Sequence, residues 1–124
     1  MKLNDYNEEM IKINAEALNT FSKLTNDNNS IHTRFNRKTN NKPIAHGAYI
    51  ISLATGIIGT KFPGDGSMIL SIDFKFKNPI YEGSTIKIHL TCTNKITSEI
   101  FNLSVMVFVA DKLCVSGNAL VRQG

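Results

Sequence analysis

The chain has 124 residues, 42% hydrophobic and 19% charged, enough for one globular domain, expected over 1–124, that buries a core without disulfide or metal staples. Its net charge of +4 and pI of 9.2 suit an anionic small molecule or an acidic carrier protein. No basic helix, zinc spacing or aromatic RNA-binding signature argues for a nucleic acid partner.

The first ten residues, MKLNDYNEEM, are polar and acidic and do not read as a signal peptide. No stretch approaches the length of a membrane span, so a cytoplasmic protein is expected. Residues 10–13, MIKI, alternate and predict a short strand. NAEALNTFSKL follows, with Asn14 placed as an N-cap and apolar residues at Ala15, Leu18, Phe21 and Leu24, which predicts a helix with one buried face.

The loop TNDNNSIHTRF comes next, with three asparagines and an aspartate around one histidine. Asn and Asp serve turns cheaply, because both tolerate left-handed backbone and bond their own main chain. Asp27, Asn29 and His32, spaced D-x-N-x-x-H, also suit a placed acid–base cluster. A calcium loop is excluded: Ile31 holds the fifth position, His32 the required glycine and Lys38 the closing glutamate. TRFNRKTNNK then carries Arg34, Arg37, Lys38 and Lys42 without an acid, a solvated loop able to meet an anionic group.

From Pro43 to Phe62 the chain is almost wholly apolar or small, which predicts a helix buried on all sides. Its opening PIAHG brings His46 and Gly47 to a helix N-terminus, where free amides favour negative charge. Gly47 lacks a side chain, so a ligand oxygen can approach its N–H as an oxyanion site requires. GIIGTK is too short for a P-loop, and no Gly-Xaa-Ser-Xaa-Gly elbow occurs.

After PGDG the period becomes two. SMILSIDFKFK puts Met68, Leu70, Ile72, Phe74 and Phe76 on one face, and STIKIHLTCT does the same with Ile86, Ile88, Leu90 and Cys92. Two further strands follow through short turns, which favour antiparallel neighbours. An α+β protein is expected, with an antiparallel sheet wrapped around one apolar helix: the hot-dog fold. Cys92 and Cys114 match no metal spacing and are expected as buried thiols, and His89 as a surface residue of a polar strand face.

FSKLTNDNNSIH, PIAHG, SLATGIIGTKFPGDGS and LSIDFKFKNPIYEGSTI, in that order from about Phe21 to Ile86, resemble the MaoC-like family, closest to its short (R)-specific enoyl-CoA hydratases. The resemblance implies an active-site pair at Asp27 and His32, with Asn29 between them and the Gly47 amide as oxyanion donor. A hydroxyl of the central helix falls on Thr55. Beside these, the basic loop offers Arg34 and Lys38 for contact with substrate. His46 is read either as a second acid–base or substrate-contacting group or, more commonly for such a histidine, as a packing residue at the helix start. The resemblance further implies a homodimer and syn hydration of a trans-2-enoyl thioester, of CoA or of acyl-carrier protein, to the (3R)-3-hydroxyacyl product, with no metal and no other cofactor. The chain departs from the family at Ser30, usually Pro, at Arg34, often Asp, and in a shorter segment between His32 and Pro43. Two other functions compete: a hot-dog thioesterase, disfavoured because no Asp or Glu stands between Pro43 and Gly64, and a non-catalytic acyl-thioester binder, disfavoured by the intact Asp27, His32 and Gly47.

Overall fold

A computed structural model describes residues 1–32 and 42–124. Among these, five strands form one antiparallel sheet: β1 (Tyr6–Lys12), β2 (Met68–Phe76), β3 (Thr85–Lys95), β4 (Ile100–Val109) and β5 (Lys112–Arg122), in the order β1-β3-β4-β5-β2. Helix α1 (Ala15–Thr25) follows β1, and the longer α2 (Gly47–Thr60) precedes β2. This is the hot-dog arrangement expected from the alternation of the strands and the apolar helix. No helix among the described residues is long and apolar enough to cross a membrane.

The strict alternation of β3 builds the core wall. Ile86, Ile88, Leu90 and Cys92 are fully buried, as are Leu103, Val105 and Val107 of β4 behind them. Ile50, Ala54, Ile57 and Ile58 of α2 pack onto this face. The opposite side of α2 is not covered: Ala48, Ser52, Gly56 and Gly59 are exposed. The expectation of a helix buried all round is therefore corrected, because the sheet encloses only one side of it. Cys92 and Cys114 are buried free thiols, and burial pushes the Cys92 thiol up. His89 lies on the outer sheet face, bonded to Glu8 across the β1–β3 pair and to Thr91 of its own strand.

Three local expectations also change. β1 begins at Tyr6 rather than Met10, because Asn7 and Glu9 occupy its inward positions; Glu9 pairs there with Lys61. The apolar face of α1 ends early, leaving Leu24 80% exposed. In β2 a bulge between Ile69 and Ser71 breaks the alternation, so that Ile69, not Met68 or Leu70, stands opposite buried Val121. β2 is an edge strand, and Ile69, Ile72 and Phe76 remain substantially exposed.

Candidate active site

The loop after α1 is assembled by its own side chains. Asn26 ends the helix in the left-handed region at φ 59°, a conformation asparagine tolerates better than most residues. Asp27 Oδ1 accepts the Asn29 N–H at 3.1 Å, and Asn29 Oδ1 accepts the Ile31 N–H at 3.2 Å. The His32 N–H then closes a 3-10 turn, Ser30–His32, on the Asn29 carbonyl at 3.0 Å. Each bond spans two or three residues, so the short sequence alone shapes the turn that presents His32.

His32 is held from its far side. Its Nδ1 lies 2.6 Å from the Ile44 carbonyl oxygen, which only accepts, so Nδ1 carries the proton and the neutral ring has a bare Nε2. That Nε2 lies 3.7 Å from Asp27 Oδ2, too far for a direct hydrogen bond. The Ile44 N–H donates to the Ile31 carbonyl at 2.8 Å, and the Ala45 N–H to the Ile80 carbonyl at 2.7 Å. The strand-like segment before α2 is thus tied both to the His32 turn and to the loop before β3.

Gly47 opens α2, and its amide belongs to the first turn, where helices have no internal acceptors. A Cβ at Gly47 would lie 2.8 Å from Cε1 and Cζ of Phe76. His32 and Gly47 line one cavity of about 310 Å³, whose wall is completed by Ile50, Phe76, Asn78 and Ile80 among others. Asp27 does not line it and approaches it through His32. Asn29 is exposed and engaged in the turn. The Thr55 hydroxyl donates to the Ser52 carbonyl at 3.0 Å and lies outside the cavity wall. Arg34 and Lys38 fall outside the described residues.

His46 is 2% exposed. Its ring stacks on His32 with centroids 3.8 Å apart and 23° between the planes, and its Nε2 lies 2.8 Å from Ser22 Oγ on α1. Its Nδ1 is buried without a hydrogen-bond partner among the described residues. Either tautomer leaves that nitrogen unmet, at about 1–3 kcal/mol, and the Ser22 hydroxyl can accept from an Nε2–H or donate to a bare Nε2. Burial holds the His46 pKa below the ordinary histidine value; the charge of His32 lowers it further and that of Asp27 opposes. Two imidazolium rings at this spacing would repel by about 4 kcal/mol at an effective dielectric of 20.

Asp27, His32 and His46 bring one ligand atom each within 4.8 Å of the others, a spacing a metal ion could bridge. The ring arrangement does not suit one. Imidazole lone pairs lie in the ring planes, and two stacked rings aim them side by side rather than at one centre. Sequence reading did not find the Ser22–His46 bond or the cavity wall from Phe76 to Ile80. KNPIYEG reads only as a turn, and nothing in the sequence marks residues 22 and 46 as neighbours.

A family model of the MaoC-like domain matches residues 4–112. The (R)-specific enoyl-CoA hydratase of Aeromonas caviae is 30% identical, over 90% of this chain and 87% of its own length. The 3-hydroxybutyryl-CoA dehydratase of Methylorubrum extorquens is 28% identical, over 90% and 73% respectively. The solved structure of the (R)-hydratase from A. caviae superposes with a TM-score of 0.93 at 25% identity, covering 100% of this chain and 98% of that one. An (R)-hydratase from Pseudomonas aeruginosa gives 0.89 at 25% identity, covering 99% and 82%. With the family model spanning most of the sequence and the same fold in those hydratases, the chain belongs to the MaoC-like family.

Proposed function

We propose that this protein catalyses the reversible hydration of a trans-2-enoyl thioester to the (3R)-3-hydroxyacyl thioester, as a hydratase or, in reverse, a dehydratase. The observation that carries this reading is the shared cavity: His32 and the first amide of α2 line it together, with Asp27 Oδ2 3.7 Å from the bare His32 nitrogen. The named activities of its relatives support the same class of reaction.

The separation of Asp27 Oδ2 and His32 Nε2 lets one water donate a hydrogen bond to each. As the water oxygen bonds to C3, one of its protons passes to this pair, and the pair delivers a proton to C2. The electrons of the alkene move onto the thioester oxygen, where the Gly47 amide meets the developing charge. Both protons travel on one face of the alkene, so addition is syn. Asn29 does not titrate and holds the Asp27 turn in register. Lys77 in the cavity wall, with Arg34 and Lys38, offers positive charge to the phosphates of CoA or of a carrier-protein arm. The free thiols suit a reducing compartment, the cytoplasm. Pairing of two β2 edges into a homodimer would cover Ile69, Ile72 and Phe76, the last of which lines the cavity.

The test is hydration of crotonyl-CoA, followed as loss of the conjugated thioester absorbance, in the parent and in Asp27→Asn and His32→Ala. Turnover in the parent with a fall of about 10²–10⁴ in kcat in each folded variant is expected for loss of an acid–base group. Release of free thiol without hydration would replace this reading by thioester hydrolysis. Tight acyl-thioester binding with neither reaction would make the protein a binder.

A further inference from the structure

The proposed reaction asks one imidazole to exchange a proton, yet the fold stacks a second imidazole on it. Two rings at 3.8 Å compete for a proton unless one is kept out of the exchange. The surroundings of His46 do this. Its Nε2 faces a hydroxyl, its Nδ1 has no hydrogen-bond partner among the described residues, and its ring packs against Phe21 at 5.0 Å as well as against His32.

We propose that Ser22 and His46 form a positioning pair for His32: Ser22 Oγ accepts the His46 Nε2–H, and the uncharged His46 ring fixes the His32 plane and leaves His32 the single proton-exchanging imidazole of the stack. This rests on His32 being the acid–base residue. The burial that disfavours charge on His46 acts in the same direction. Among the described residues, the other charged groups around the stack are Asp27, beside His32, Glu82, which shares a small cleft with His32, and Lys23, in a second cleft with Ser22 and His32. None of these is a hydrogen-bond partner of His46 Nδ1. The device spans the fold: Ser22 lies on α1, His46 caps α2, and His32 lies in the turn between them.

The experiment uses the full chain with ¹⁵N-labelled histidine, as parent, Ser22→Ala and Ser22→Thr. Ser22 lies inside α1, where alanine is the better helix former, so the fold survives the change. In the parent, nitrogen–proton spectra should show His46 protonated at Nε2 and His32 protonated at Nδ1. In Ser22→Ala the His46 proton should redistribute between its two nitrogens. Its kcat should fall about tenfold with KM nearly unchanged, as for a slightly misplaced catalytic group. Ser22→Thr, which restores the hydroxyl, should recover all of these. A His46 proton on Nδ1 in the parent would overturn the proposal. So would a Ser22→Ala protein whose melting temperature alone changes, with the His46 tautomer and kcat intact. Should the parent hydrate no enoyl thioester, the functional reading falls, and the His46 tautomers of parent and variants still decide for or against the pair.

Discussion

Gly47→Ala separates the demands of the fold from those of the site. The added Cβ would stand 2.8 Å from two atoms of the Phe76 ring. Non-bonded carbons rest at about 3.5–4.0 Å, so the ring must retreat by roughly 0.7–1.2 Å. Phe76 is 54% exposed on an edge strand and has room to do so. Overpacking of about 1 kcal/mol is then offset by the roughly 0.5–1 kcal/mol gained when alanine replaces a helical glycine, and the melting temperature should move little. The cavity is less forgiving, because the displaced ring is part of the wall beside the α2 amide. A misplacement on the order of 1 Å costs about 10²-fold, as does loss of one oxyanion donor. The expected fall in kcat/KM is therefore about 100-fold, or about 2.7 kcal/mol of transition-state stabilisation. Initial rates of crotonyl-CoA hydration and a thermal melt on the same sample measure both quantities. Gly47→Ala combined with Phe76→Leu, which returns the lost space, should regain about tenfold if half of the lost stabilisation is recovered. A single variant as active as the parent would refute the reasoning, as would one that melts far lower while its folded fraction keeps full kcat/KM.

Two further outcomes follow from burial and exposure. Because His46 binds its proton less tightly folded than unfolded, the unfolded chain binds more protons below its ordinary value of 6.5. Stability should therefore be full above that pH and decline as pH falls from there toward the lower folded value. Melts between pH 7.5 and 5, roughly the range in which histidines titrate, should show a shallower decline in His46→Phe than in the parent; equal slopes would count against the buried neutral ring. At the open edge, light scattering should give twice the chain mass for the parent, as the proposed homodimer requires, and a single chain mass for folded Ile72→Lys; a monomeric parent, or an unchanged mass in the variant, would overturn pairing through β2.

How much of the molecule could be read beforehand depended on how local its causes are. β3 was legible because every inward residue from Ile86 to Cys92 is apolar and fully buried. β1 was not, because Asn7 and Glu9 take inward positions, Glu9 with a partner 52 residues away in Lys61. The register of β2 turned on one unpaired residue, which the unbroken apolar run of Met68, Ile69 and Leu70 disguises. The same holds at the site. The turn from Asp27 to His32 could be read from its side-chain-to-backbone spacing, whereas Ser22 and His46 meet across 24 residues through tertiary packing alone.

Ile44 uses both of its main-chain polar groups on the His32 turn, its N–H on Ile31 and its carbonyl on the imidazole. Three residues later the chain enters α2 at Gly47. The spacing between imidazole and helix amide is thus set by one peptide clamp and a three-residue step. A substitution that shifts the Ile44 peptide would therefore turn the imidazole and displace the helix entry together, whereas one elsewhere on α2 would leave both in place.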